Sequence, residues 1–312
     1  DTNFSADLTI MEEANEFLSR VRGDGVLPLI TSCSPGWVKF CEHKYPEFIP
    51  NLSTCKSPQQ MFGAIAKTWY AERKGIDPKD VFVASVMPCT AKKFEVGRDH
   101  ENEHGVTDVD VALTTREISR MIKRAGIMFP QLPDEHFDAL LGEGTGAATI
   151  FGTTGGVMEA ALRTAVESLT GEKSESVDYT EVRGTKGIKE ATYHVAGLDI
   201  NVAVASGLQN ASTLLEAVKS GEKQYHFIEI MGCPGGCING GGQPVQPASV
   251  RNIVDLKSAR AAALYEADRN SAIRKSHENP LIIRLYEELL KEPGSHTAHE
   301  LLHTHYKKRA RF

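Results

Sequence analysis

Apolar positions at Leu8, Met11, Phe17, Leu18 and Val21 recur with helical spacing and predict an opening helix over Ala6–Val21. Val26–Thr31 (VLPLIT) is a short apolar run of the kind a buried strand needs. It leads into Ser32-Cys33-Ser34-Pro35-Gly36-Trp37, a small-residue turn followed by a helix. Val81–Val86 (VFVASV) is a second buried strand, ending in Met87-Pro88-Cys89. Val109–Leu113 is a third, followed by a helix over Thr115–Ala125. Further helices are predicted at Thr154–Leu169 and Ala211–Lys219, and strands at Asp199–Ala205 and Tyr225–Ile230; from Val254 onward the pattern is helical and charged. Strands alternating with helices give an α/β architecture with mainly parallel sheets flanked by helices. In such folds ligands sit where a strand turns into a helix. Pro130–Glu135 and Gly171–Glu175 read as loops or boundaries.

Composition narrows the function classes. The 312 residues carry 41 acidic and 35 basic side chains, a formal charge of -6, which leaves no global basic footprint for nucleic acid. A hydrophobic fraction of 41% suffices for a core and argues against disorder. No run is long and apolar enough for a membrane span, and no signal peptide is visible. The chain opens on Asp1 directly in a helical pattern, as a cut or processed start would. Free thiols and that start point to the cytoplasm, with the periplasm as the alternative.

The six cysteines are too few for a disulfide scaffold of this length. The sharpest chemical feature is Met231-Gly232-Cys233-Pro234-Gly235-Gly236-Cys237-Ile238-Asn239-Gly240-Gly241-Gly242-Gln243-Pro244. Two thiols lie four apart in a glycine run, where the backbone can approach a bulky inorganic group, take positive φ and offer N–H donors to sulfur. Cys89 ends a strand and is followed three residues later by Lys92, a cation that offsets thiolate or anionic-ligand charge. With Cys33, these give four thiols from three strand ends, enough for an iron–sulfur cubane. Zinc competes as the metal, although its sites usually come as two short-spaced pairs.

Three motifs, TSCSPGW at 31–37, MPCTAKKFE at 87–95 and MGCPGGCINGGGQP at 231–244, resemble the signatures of the [FeFe]-hydrogenases. The resemblance runs in order through SPQQMFG at 57–63, LTTRE at 113–117, IFGTTGGVMEAALR at 150–163, VRGTKGIKEA at 182–191, YHFIE at 225–229 and KSHENP at 275–280. The likeness is to the clostridial and Desulfovibrio-type enzymes. It implies two α/β lobes with an H-cluster buried between them: a [4Fe-4S] cubane joined through one thiolate to a two-iron unit carrying CO, cyanide and a bridging dithiolate amine. The activity implied is reversible reduction of protons to H2. By motif match Cys89, Cys233 and Cys237 hold the cubane, with Cys237 bridging to the two-iron unit. Lys92 would hydrogen-bond a cyanide, and Met87, Pro88, Met231, Gln59 and Phe151 would line the pocket.

The first motif departs from the family. Cys33 falls on the proton-carrier position and Ser34 on that of the fourth cubane ligand, normally cysteine. Ser34 would ligate through oxygen, or Cys33 would substitute, or the fourth position would stay open. Each outcome predicts impaired turnover. Glu13, Glu16 and Arg20 share one face of the first helix; alone they read as a solvated salt-bridging face. The resemblance turns them into a relay from solvent near Arg20 through Glu16, Ser53 and Glu13 to Cys33. Cys41 and Cys55 read as structural thiols.

The expected division is a first lobe over 1–125, a second over 126–250 and a C-terminal helical wrap over 251–312. Its basic end (Lys307, Lys308, Arg309, Arg311) reads as a solvated tail or a docking patch for an acidic donor. Expected partners are a ferredoxin or flavodoxin-like electron donor, or a ferredoxin-like domain or subunit outside this sequence, and maturation proteins for the two-iron unit. The alternatives are a non-catalytic iron–sulfur relative, a sensory hydrogenase-like protein and an electron-bifurcating subunit.

Overall fold

The computed structural model describes residues 1–98, 105–138, 140–174 and 176–310. Arg311 and Glu175, which close two of the segments read above, lie outside the described residues.

The opening helix starts a turn earlier than its apolar spacing indicates. It is α1, Thr2–Val21, because Asp1 caps it by accepting from the Asn3 N–H. The first apolar run yields only a short strand, β1, Leu29–Thr31; Pro28 has no N–H to give to a ladder. Ser34 then caps α2, Pro35–Lys44. Sequence periodicity gave no sign of α3, Pro58–Ile65. Gly63 interrupts its apolar face, since a Cβ there would meet the Asp108 carbonyl oxygen at 2.1 Å.

Next come β2, Ala84–Met87, α4, Lys92–Val96, β3, Val111–Thr114, and α5, Thr115–Arg124, which a Thr114–Glu117 capping box opens. The second half supplies α6, Gly156–Thr170, then β4, Ile188–Val195, and β5, Leu198–Ser206. It continues with α7, Leu208–Lys219, and β6, Phe227–Met231. The C-terminal segment carries α8, Leu256–Arg269, α9, Pro280–Leu285, and α10, His296–Leu302. β4 was unforeseen because its run IKEATYHV is polar; it is an edge strand, antiparallel to β5.

The main sheet has the order β1-β6-β5-β4, with β1, β6 and β5 parallel. A second, two-stranded parallel sheet pairs β2 with β3. Alternation along β5 and β6 divides the core. Val202, Val204 and Phe227 face α1 and α6, while Ala203, Ala205, Ile228 and Ile230 face α2 and α7. Sheet membership does not follow the division at residue 125: β1 belongs to the same sheet as β4–β6. The loops after β1 and β6 therefore emerge side by side, and the end of β2 meets them from the other sheet. Among the described residues no helix is long and apolar enough to cross a membrane.

The C-terminal segment is fastened by buried charge. Arg163 of α6 is fully buried and makes a two-pronged pair with Asp268 of α8, at 2.9 Å for each prong. Arg309 donates to the buried Glu42 at 2.9 Å, which ties this part of the basic end to α2 and leaves it neither a solvated tail nor a free patch. Replacing Asp268 by alanine leaves the Arg163 guanidinium buried without that partner, so Asp268→Ala is expected to destabilise by about 3–5 kcal/mol. Chemical denaturation against the exposed control Glu266→Ala measures this; equal midpoints would contradict it.

Candidate metal centre

Cys33 follows β1, Cys89 follows β2, and Cys233 and Cys237 follow β6, so strand ends carry all four thiols into one place. All six cysteines are free thiols, and these four are partly buried. The Cys33 and Cys237 thiols are neighbours and shift each other's acidity. Cys237, helped by Lys92, holds Cys33 below the ordinary thiol range against its burial, while Cys33 and burial push Cys237 up. Burial, and then Cys89 close by, raises Cys233, and the nearby Gly241 N–H opposes the shift.

The glycine run also has a packing role that the spacing of the thiols does not announce. It brings backbone against backbone. A Cβ on Gly240 would meet the Pro88 carbonyl oxygen at 2.2 Å, and one on Gly236 the Thr154 nitrogen at 2.7 Å. A Cβ on Gly232 would meet Ser34 Oγ at 2.3 Å. Gly235 and Gly236 also take positive φ, 86° and 98°.

A cavity of about 260 Å³ opens beside Cys33, Cys89 and Cys237, lined also by Gln59, Met87, Pro88, Lys92 and Phe151. Met231 does not line it; it is 1% exposed, packed in the core beneath. Lys92 points its ammonium at Glu95, with Nζ at 3.0 and 2.9 Å from the two carboxylate oxygens. Burial presses on the Lys92 charge, but Glu95 and the Cys33 thiol outweigh it and the net shift is upward. Glu95 also accepts from Gln59 Nε2 at 3.0 Å and Ser57 Oγ at 2.8 Å, so it orients two cavity residues. Sequence reasoning missed it, although Lys92 and Glu95 stand three apart, as ion-paired neighbours on a helix do.

Ser34 does two things at once. Its Oγ accepts weakly from the Trp37 N–H at 3.5 Å as the cap of α2, and it lies against Gly232, next to Cys233. The face of α1 that reads as solvated is buried. Glu13 is 3% exposed and Arg20 8%. Arg20 donates to Glu16 at 2.5 Å and to the carbonyls of Val26, Pro50, Asn51 and Leu52. It is thus a buried clamp rather than the solvent end of a relay, since a guanidinium offers donors and no acceptor. Ser53 Oγ donates to Glu16 at 3.1 Å. Glu13 accepts from Thr31 at 2.6 Å, a partner unforeseen because Thr31 closes an apolar strand. Burial, opposed by Thr31 and reinforced by Glu16, raises the Glu13 carboxyl to about 8. Cys41 is inert, pushed up to about 12 by burial and then Glu42.

The family described as iron only hydrogenase large subunit, C-terminal domain, matches residues 1–241, and that described as iron hydrogenase small subunit matches residues 254–309. The chain belongs to the [FeFe]-hydrogenase family. It is 53% identical over its whole length to the NADP-reducing hydrogenase subunit HndD of Solidesulfovibrio fructosivorans, covering 53% of that protein. It is 50% identical over 99% of its length to iron hydrogenase 1 of Clostridium pasteurianum, covering 54% of it. The chain thus spans about half the length of these curated relatives. A more distant relative, Protein NAR1 of Arabidopsis thaliana, is 34% identical over 98% of this chain and is covered to 69%. The solved structure of an apo [FeFe]-hydrogenase from Chlamydomonas reinhardtii superposes with a TM-score of 0.85 at 42% identity, covering 99% of this chain and 84% of that one.

The cofactor of this family is the H-cluster, a cubane with a two-iron unit. The residues present fit such a group better than a single ion. A tetrahedral zinc holds its sulfurs about 4 Å apart. Among the described residues, the groups of three or more His, Cys, Asp or Glu ligand atoms within 4.8 Å of one another do not include these cysteines. Soft thiols are therefore spread around a volume larger than one ion, beside a cavity lined by Met87, Pro88 and Phe151.

The raised Glu13 carboxyl has a consequence for stability. Between 4.5 and about 8 the folded chain keeps a proton that an unfolded glutamate has released, so stability falls as pH rises through that window. In Glu13→Gln that part of the slope is expected to disappear. Denaturation midpoints at about pH 5 and about pH 8 test it; parallel slopes in parent and variant would contradict it.

Proposed function

We propose that this chain is the catalytic part of a hydrogenase, in which Cys89, Cys233 and Cys237 hold the cubane and Cys237 bridges to the two-iron unit. The observation that carries the reading is the convergence of thiols from three strand ends, with Cys33, Cys89 and Cys237 on one cavity and the buried Glu13 carboxyl near Cys33. When bound, the H-cluster supplies the redox chemistry of 2 H+ + 2 e- to H2. The residues do the rest. Met87, Pro88 and Phe151 keep the cavity dry. Glu95 holds Lys92 Nζ and the Gln59 amide at its edge, where Lys92 is available to anionic ligands.

Protons travel on side chains that both donate and accept. Cys33 Sγ is the inner carrier. Glu13, raised to about 8, exchanges a proton near neutral pH. Its Oε2 is buried without a partner and is the atom free to pass one on. Ser53 links towards Glu16, whose side chain is 14% exposed and forms the outer end. Arg20 positions Glu16 and relays no proton, having no acceptor.

Electrons come, in our reading, from a ferredoxin or flavodoxin-like donor or from a companion iron–sulfur domain. Pro234, Asn239 and Gly241 on the loop that carries Cys233 are exposed, which supports entry there. Ser34 stands where a fourth thiolate is usual. Its hydroxyl is a harder and more basic donor than sulfur, so the cubane is held less firmly and turnover is lowered.

Three measurements test this. After maturation, infrared bands of bound CO and cyanide are expected. Their absence beside a cubane EPR signal would leave an iron–sulfur protein without hydrogen chemistry. Glu13→Gln is expected to keep iron content and lose about two to four orders of magnitude in turnover; a parental rate would remove Glu13 from the route. Ser34→Cys is expected to raise both iron per chain and H2 rate, and no change in either would refute the ligand assignment.

A further inference from the structure

Glu16, Cys55 and His303 come from three separate parts of the chain and meet at the outer end of the carboxyl line. Glu16 lies on α1. Cys55 and His303 face each other across an isolated antiparallel bridge. Two backbone bonds fix that bridge, Lys56 N to Leu302 O at 2.8 Å and Thr304 N to Thr54 O at 2.7 Å. The three ligand atoms all lie within 4.8 Å of one another, and Cys55 Sγ is 3.7 Å from Glu16 Oε2.

We propose that Glu16, Cys55 and His303 form a binding site for a zinc-class divalent cation, and that a cation held there closes the proton route at its outer end. One sulfur, one imidazole nitrogen and one carboxylate oxygen make a mixed soft and borderline donor set. That set suits Zn2+ and not the all-oxygen shells of Ca2+ or Mg2+. With one ring nitrogen of His303 on the metal, the other keeps a partner already in place. Nδ1 is 2.7 Å from Thr54 Oγ1 and Nε2 is 3.1 Å from Glu12 Oε2. An outer-shell partner of this kind fixes the ring and raises its basicity.

The local charge favours a cation. Glu12, Glu13 and Glu16 all press on Cys55, and burial together with these carboxylates keeps its thiol neutral while no metal is present. A divalent cation reverses that balance, and the thiol proton leaves to solvent as the sulfur binds. Arg20 holds Glu16 Oε1, and Oε2, the oxygen facing Cys55, accepts from Ser53 Oγ and the Thr54 N–H at 3.1 Å each, so a metal on Oε2 takes the place of the Ser53 bond. Metal on that oxygen occupies the lone pairs that accept a proton from Ser53 or from water. The binding site stands on geometry alone; its effect on turnover rests on the relay reading above.

The test uses the cluster-loaded chain, its Cys55→Ala variant and its His303→Gln variant, each titrated with ZnCl2 by calorimetry, with H2 turnover followed in parallel. The parent-minus-variant difference isolates this site from any zinc taken by other thiols. The parent is expected to show one binding event that Cys55→Ala weakens at least about tenfold, the low end of what losing even an outer-shell partner costs. Turnover of Cys55→Ala without zinc is expected to match the parent, and its inhibition by zinc to be lost. Cys55→Ser is the substitute if the alanine variant does not fold. No binding event in the parent, or equal binding in parent and variants, overturns the site. Binding lost in the variants while zinc leaves parental turnover untouched keeps the site and overturns the block. Because calorimetry needs no turnover, a chain that evolves no hydrogen still decides the binding question.

Discussion

The site depends on one constraint, the contact of glycine backbone with the backbone and side chains of other loops. Gly240 sits against the Pro88 carbonyl, Gly236 against Gly152 and Thr153–Thr154, and Gly232 against Ser34. Each contact is closer than a Cβ allows. Through them the loop after β6 is locked to the loop after β2, to the start of α6 and to the cap of α2. Parallel pairing of β1 with β6 fixes one pair of loops as neighbours, but β2 belongs to another sheet. Without the glycine contacts nothing in the strand ladders would hold Cys89 at its distance from Cys233 and Cys237. Backbone rigidity of this kind is what a preorganised ligand set requires, because ligands on independent loops would pay ordering entropy on each binding event.

A second order of support comes from buried charge. Below the cysteine loops Glu229 accepts from the N–H groups of Gly155 and Met158 at 2.6 and 2.7 Å, which pins β6 to the N-terminal end of α6. Arg20 satisfies four carbonyls and a carboxylate at the far end of α1, and Arg163 joins α6 to α8. Buried ions of this sort add little net stability against an apolar core, but removing one partner is costly. They therefore fix arrangement more than they add to stability. The consequence for function is that α1 cannot shift without breaking Arg20, and Glu13, Glu16 and the loop bearing Ser53 stay in register.

Much of this was legible in the sequence where the physics is local. The apolar runs announced β1, β3, β5 and β6 to within a few residues, because a strand packed against a core must be apolar where it is covered; they also announced β2, but its expected burial fails, since it is exposed or half-exposed throughout and Val86 is 46% exposed. The polar run IKEATYHV concealed β4, which as an edge needs no such pattern, and Gly63 concealed α3. The thiols were legible because their motifs are contiguous. Long-range partners were not. Nothing in the order of residues says that Thr31 would bond Glu13, that Glu95 would hold Gln59, or that His303 would stand opposite Cys55. The solvated reading of Glu13, Glu16 and Arg20 failed for the same reason: helical spacing puts residues on one face, but only the tertiary fold says what covers that face.

Ser34 shows how one position can answer to two demands. As the cap of α2 it offers an oxygen to the Trp37 N–H, and serine ranks among the preferred residues for that task. Cysteine, a weak acceptor, would cap less well. Against Gly232 the same side chain has room for an atom at van der Waals distance only because no Cβ stands opposite. Sulfur is larger than oxygen, and the missing Cβ provides the space a thiolate would occupy. Gly232 thus leaves space beside position 34, while the residue there favours the helix. The local gain is a capped α2 that presents Cys33 firmly. On the proposed reading the local cost is a harder oxygen donor where the family carries sulfur, so that the two demands, helix and metal, are met at this position in unequal measure.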